Sequence, residues 1–196
     1  MNIKPLVFNI EILQKKALNG DGLSAYILGR SYFSSENGVQ CDYSKSFEWY
    51  KYGAEKLKDS RCTYGLGICY DDGVGVEQDI KKADSLFREA YKPLNEMAKQ
   101  NEPFSMFILG AYYFYGFAGM ERNDSKAFEN IFNSAQLGHL AGIYDIGTFY
   151  HNGTGIEIDF EKSKKYLTLA ASVGLERAKQ KLTEWENDFI SVIKRK

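Results

Sequence analysis

The sequence predicts an all-α protein, an α-solenoid of about four antiparallel helix-turn-helix units with helical caps at both ends. Three observations carry the prediction. A Leu/Ile-Gly-x-x-Tyr core recurs at Leu28-Gly29 with Tyr32, Leu66-Gly67 with Tyr70, Leu109-Gly110 with Tyr113 and Ile146-Gly147 with Tyr150, its glycines 38, 43 and 37 residues apart. Each copy runs into a glycine-containing loop, at Asn37-Gly38, Gly73-Val74-Gly75, Gly116-Phe117-Ala118-Gly119 and Gly153-Thr154-Gly155. A second element then opens with Asp42, Asp79, Asn123 or Asp159, followed three residues later by Lys45, Lys82, Lys126 or Lys162. Self-similarity at this period is the mark of a repeat array, in which each unit buries its apolar face against its neighbours.

Taken in order, residues 1–19 read as an amino-terminal half-repeat cap, with Pro5 well placed for a first helical turn. Repeat one covers 20–57. Ala25, Leu28, Gly29 and Tyr32 fall at i, i+3, i+4 and i+7, the spacing of one helical face. A mid-helix glycine costs roughly 1 kcal/mol against alanine, so its fourfold recurrence asks for a cause, and close approach of the facing helix supplies one. Asp42, Asp79 and Asp159 are read as N-caps of the second helices, with Asn123 or Asp124 in that role in repeat three. Repeat two covers 58–98 and carries an insertion near 91–97, where Pro93 predicts a kink or break near Tyr91. Repeat three covers 99–138 and repeat four 139–174. Ala178, Leu182, Trp185 and Phe189 give 175–196 amphipathic spacing, the pattern of a carboxyl-terminal capping helix.

These motifs, with Ala170-Ala171-x-x-Gly174 closing the last unit, resemble the Sel-one-like repeat (SLR) family, relatives of the tetratricopeptide repeats. The resemblance covers about Gly20 to Gly174 and is strongest over Leu66–Ala90 and Ile146–Gly174. Repeat one departs from it by a loop lacking the second glycine, and repeat two by its insertion. The resemblance implies a superhelix of helix pairs that serves as an adaptor surface for other proteins. Some secreted, cysteine-rich members of the family are associated with β-lactam hydrolysis, which makes an enzyme the alternative; those proteins pair cysteines in every repeat, and this chain does not.

Composition narrows the classes further. Twenty-five basic against 26 acidic side chains leave a net charge of −1, so no general field attracts a phosphate backbone, and nucleic acid is not an expected ligand. No stretch approaches the ~20 apolar residues of a bilayer span, so no membrane partner is expected. Cys41, Cys62 and Cys69 are an odd count, and the latter two are too far apart along one predicted helix to bond, which fits a reducing, cytoplasmic setting. His139 and His151 lie in different elements with no cysteine or carboxylate at ligand spacing, so neither a metal nor any other cofactor is expected. Asp71-Asp72-Gly73 lacks the EF-hand spacing, and neither Gly-x-Gly loop follows a strand or precedes the Lys-Ser/Thr of a phosphate loop. No nucleophile elbow is present.

The informative feature is a face. By the phase of the tetratricopeptide resemblance, the inner groove is lined by Tyr26, Arg30 and Phe33 in repeat one, and by Tyr64, Ile68 and Asp71 in repeat two. Phe107, Ala111 and Phe114 follow in repeat three, and Tyr144, Thr148 and His151 in repeat four. An aromatic holds the first of these positions every time. Exposed, such a ladder has the composition of an interface hot spot; otherwise the rings pack between helices. On the first reading the protein is a monomer or weak homo-oligomer that binds another protein or peptide without catalysis, and a bacterial immunity or regulatory role is its narrower form. Tyr64→Ala with Phe107→Ala is then expected to abolish capture at nearly unchanged stability.

Overall fold

The computed structural model describes residues 3–194, with side-chain surroundings as far as Trp185. Its helices are α1 Ile10–Leu18, α2 Gly22–Ser34, α3 Tyr43–Glu55, α4 Ser60–Asp72, α5 Ile80–Lys99, α6 Pro103–Tyr115, α7 Asp124–Gln136, α8 Leu140–Asn152, α9 Phe160–Ser172 and α10 Glu176–Lys194, with a 3-10 turn at Phe117–Gly119. No strand occurs among the described residues. The pairs α2–α3, α4–α5, α6–α7 and α8–α9 each pack as a hairpin, each hairpin packs on the next, and α1 and α10 cover the two ends. One apolar cluster runs from α1 to α6 and a second from α6 to α10, with Ile108 in the first and Phe107 in the second. The middle helix therefore joins both halves of the core.

The recurrent glycine sits where the two helices of a hairpin touch. A Cβ on Gly29 would stand 2.5 Å from the Tyr50 ring, one on Gly67 2.6 Å from Phe87 and one on Gly147 2.7 Å from Leu167; Gly110 faces Ile131 in the same way. Such distances are far inside van der Waals contact, so each second helix is seated directly on the backbone of its partner.

The other motif residues also find physical roles. Asp42, Asp79, Asn123 and Asp159 each accept a hydrogen bond from the amide of the lysine three residues on, at 2.9–3.0 Å, satisfying an otherwise free first-turn donor. Asn123, rather than Asp124, therefore caps repeat three. Those lysines lie over the motif tyrosines: Lys45 over Tyr32 at 5.4 Å, Lys82 over Tyr70 at 4.1 Å, Lys126 over Tyr113 at 5.3 Å and Lys162 over Tyr150 at 5.1 Å. The motif's Tyr and Lys are thus a cation–π pair spanning each hairpin.

Two expectations are corrected. The kink or break near Tyr91 does not interrupt α5, which runs for 20 residues where α3, α7 and α9 each have 13. Pro93 and Glu89, whose carbonyl loses its amide partner, are both exposed, so that carbonyl is open to solvent. Leu94 and Ala98 on the opposite side are buried and hold the extension down.

The second correction concerns Pro5, which is not in a helix. Residues 3–9 form no regular secondary structure, and α1 starts only after Asn9, which is extended and whose side chain accepts from the Ile12 amide at 3.0 Å. Leu6 and Phe8 turn inward while Val7 is exposed, the period-two pattern of extended chain. The Leu6 amide donates to the Gly138 carbonyl at 2.8 Å, the Phe8 amide to Asn37 Oδ1 at 3.1 Å, and the Phe8 ring meets Phe104 at 6.1 Å. The segment is a strap tying repeat one to repeat three.

Gly67→Ala tests the close-approach account, because propensity and packing give opposite signs. Alanine gains about 1 kcal/mol as a helix former, and overpacking costs about 1–3 kcal/mol. The expected result by urea denaturation is a net loss of stability; a gain would show that the facing Phe87 ring yields freely.

Candidate functional site

Inside the curve of the array lies a cavity of about 580 Å³. It is lined by residues of the first helix of every pair, between Tyr26 and Ser34 on α2, Tyr64 and Asp72 on α4, Phe107 and Tyr115 on α6, and Asp145 and Asn152 on α8. Their shared direction follows from the repeat, since each hairpin places its first helix on the inner side.

Of the residues singled out from the sequence, the structure brings Tyr26, Arg30, Phe33, Tyr64, Ile68, Asp71, Phe107, Ala111, Phe114 and Thr148 together around this one cavity. Tyr144 and His151 do not line it. The carboxyl-terminal helix takes both: the Arg177 guanidinium lies 4.4 Å from the Tyr144 ring centroid, and His151 stacks on Trp185 at 3.8 Å. The lining missed by the sequence reading includes Asp72, Tyr115, Asp145 and Arg177. Tyr115 is 66% exposed at the end of α6. Its position right after Phe114, one step past the groove register, was the available signal.

The aromatic ladder is mostly wall. Tyr26, Tyr64 and Phe107 are 1%, 8% and 9% exposed. Tyr26 packs 5.9 Å from both Tyr50 and Phe104, while Tyr64 packs 5.8 Å from Phe87 and 5.7 Å from Tyr112. Burial pushes the Tyr26 hydroxyl up to about 12, so it stays protonated. The accessible apolar surface comes instead from half-buried Phe33, Ile68 and Phe114 and from Tyr115. The expectation that Tyr64→Ala with Phe107→Ala leaves stability unchanged is therefore corrected: both side chains hold the fold.

A charged clasp closes one side. Glu36, from the repeat-one loop, is 6% exposed and accepts from Arg30 at 3.0 Å and from Arg177 of α10 at 3.5 Å, a contact 141 positions apart in sequence. Arg30 lies 4.8 Å from the centroid of Phe107. The loop can reach inward because Ser35, Asn37 and Gly38 take left-handed conformations, at φ 55°, 56° and 81°. Asn37 is further held by donating to Ser31 Oγ at 2.8 Å. Behind the clasp, buried His139 accepts from the Gly142 amide at 3.1 Å and so caps α8. Burial holds its pKa well below the ordinary value, and the charges of Arg30 and Arg177 add to the effect. The Asp145 carboxyl in the cavity is pushed up by burial, against the pull of Arg177 and Arg30. No group of three or more potential metal ligands occurs among the described residues.

Two predictions follow from this geometry. Phe107→Ala is expected to lower stability by about 3 kcal/mol, read by chemical denaturation, as loss of a buried aromatic ring. For His139, the unfolded chain takes up the proton more readily than the folded one. Stability present at neutral pH is therefore lost as pH falls below about 6.5. His151, lowered by burial and by Lys181, acts with the same sign. The melting temperature is expected to drop between pH 7 and pH 5, and His139→Asn, which keeps a cap acceptor, is expected to flatten that drop; an equally steep drop in the variant would assign it elsewhere.

With this geometry established, the chain can be set beside known proteins. The family model described as the Sel1 repeat matches residues 22–56, 60–92, 103–139 and 140–175. The chain is similar to the chitin synthase regulator SKT5 of Saccharomyces cerevisiae, 26% identical over 170 residues, which cover 83% of this chain and 23% of that protein. It is also similar to cytochrome c oxidase assembly factor 7A of Xenopus laevis, 28% identical over 145 residues, covering 72% of this chain and 60% of that one. This chain thus spans less than two thirds of the length of either relative. Among solved structures, a Sel1 repeat protein from Oxalobacter formigenes is 25% identical with a TM-score of 0.48, covering 87% of this chain and 72% of that one. The four matched segments run through most of the chain, each taking in the bulk of one helix pair, and the chain belongs to the Sel1 repeat family.

Proposed function

We propose that this protein binds a segment of a partner protein in its inner cavity and acts by occupancy, without catalysing a reaction. Sel1 repeats are protein-interaction modules, and one observation carries the reading to this site: the about 580 Å³ cavity presents Phe33, Ile68, Phe114 and exposed Tyr115 beside polar Thr148 and Asn152. Apolar anchors with a polar surround are the anatomy of a binding hot spot. The walls behind them are packed, so the anchors are held in place before a partner arrives, which reduces the ordering cost of association.

In its narrower form the proposal has the protein hold one partner in check, as an immunity or regulatory protein does. The names of the similar proteins, a regulator and an assembly factor, support action upon another protein rather than on a metabolite. The free thiols of Cys41, Cys62 and Cys69 support work in the cytoplasm, where the proposal has the protein act as a monomer or weak homo-oligomer.

The test is capture of the native partner by the tagged protein, identification by mass spectrometry and re-measurement with purified components. Phe114→Ser with Tyr115→Ser is expected to weaken the complex by at least about 2 kcal/mol, the scale of hot-spot truncation, with the melting temperature within a few degrees of the parent. Retained affinity in a folded variant would move the binding surface off the cavity.

A further inference from the structure

We propose that the rim of the inner cavity receives a lysine or arginine side chain, so that the polypeptide segment bound there is basic. The inference rests on the reading of the cavity as a polypeptide site and names the chemistry of its occupant. Its first ground is the direction of the helices. Ser34, Asp72, Tyr115 and Asn152 are the last residues of α2, α4, α6 and α8, and all four line the cavity. The carboxyl end of a helix carries the negative pole of its dipole and unpaired carbonyls, and it favours cations. Lys15 and Lys16 stand in the last turn of α1 and Lys99 in that of α5, while α3, α7 and α9 have no basic residue there. The four ends gathered at the rim are likewise uncompensated: the last turns of α2, α4 and α6 hold no basic residue, and that of α8 holds only His151, stacked on Trp185.

The second ground is the charge count. α4 ends in Asp71-Asp72, two carboxylates at the pole that disfavours them, and Asp145 also lines the cavity, within the fields of Arg177 and Arg30. None of the three has an ion-pair partner within 4.0 Å among the described residues. The cavity's guanidinium groups, Arg30 and Arg177, are both taken by Glu36, and each lies against a ring. Two cations thus stand among four carboxylates. A local arrangement that opposes its own helix electrostatics marks a functional position rather than a stabilising one. Phe33 and the exposed Tyr115 line the same cavity and offer ring surface to an incoming cation, whereas the Phe114 ring already carries Arg122 at 4.6 Å.

The test uses two capped peptides, acetyl-Gly-Tyr-Lys-Phe-Lys-Tyr-Gly-amide and its counterpart with Glu for both Lys, followed by calorimetry and by amide chemical shifts of the full-length protein. The lysine peptide is expected to bind, to shift the amides of Asp71, Asp72 and Asn152, and to weaken as salt rises. The glutamate peptide is expected to bind at least about tenfold more weakly, and Asp71→Asn with Asp72→Asn to remove about tenfold from the lysine peptide alone. Equal binding of the two peptides, no binding of the lysine peptide up to millimolar concentration, or indifference to the Asn substitutions would overturn the inference. Tyr115→Ser separates the two levels. If it weakens both peptides alike while the Asn variant changes nothing, the cavity still binds polypeptide and only the charge preference fails. If the native partner ignores Tyr115→Ser as well, the cavity reading itself fails.

Discussion

The architecture depends on a missing side chain. At Gly29, Gly67, Gly110 and Gly147 the first helix of each pair gives up its Cβ, and Tyr50, Phe87, Ile131 and Leu167 of the second helix fill the space. The consequences propagate outward. Close seating fixes how each hairpin closes, the Tyr–Lys pairs and the Asp or Asn caps fix where its second helix begins, and stacking of near-identical hairpins turns all four first helices to the inner side. A conformational penalty of about 1 kcal/mol per glycine is thereby offset by packing of aromatic and branched side chains against backbone.

The inner cavity inherits its composition from that order. Because the first helices are also the most buried ones, their inward rings divide into two populations. Tyr26, Tyr64 and Phe107, nearer the middle of each helix, are sealed by neighbouring units, while Phe33, Phe114 and Tyr115, at the helix ends, reach the open side. Depth along the helix separates wall from contact surface, and the charged groups obey the same gradient. The Arg30–Glu36–Arg177 clasp lies deeper and is ion-paired, two guanidinium groups on one carboxylate, whereas Asp71 and Asp72 sit at the rim without ion-pair partners among the described residues.

The repeat, its helices and part of the cavity lining were legible in the sequence, because a periodic motif imposes one geometry on every copy. What escaped it was the last residue of each first helix, Ser34, Asp72, Tyr115 and Asn152, and the features outside the repeat. The strap at residues 3–9 shows only as alternation of Leu6, Val7 and Phe8, too short to outweigh a helical reading started from Pro5. Pro93 looks like a breaker until the burial of Leu94 and Ala98 is known, since tertiary packing decides whether the lost amide matters. The altered loop of repeat one has a cause that only structure shows. A Cβ on Gly75 or Gly155 would strike the backbone of Tyr43 or Asp124, at the start of the preceding second helix. Repeat one follows only the short α1, and there Asn37 is admitted in the left-handed conformation and gains a side chain with which to hold the strap. Tyr144 and His151 were misplaced for a similar reason, because α10 folds back over them.

That strap alters how the whole array should come apart. In an ideal linear repeat protein each unit touches only its neighbours, so ends fray and partial unfolding is graded. Here Leu6 and Phe8 bind repeat one to the Gly138 turn and to Phe104, and Glu36 joins the same repeat to α10, so first and last units share contacts. Peeling either terminus must break links to distant units at once, which couples the ends and makes melting a single cooperative event rather than a progressive unzipping.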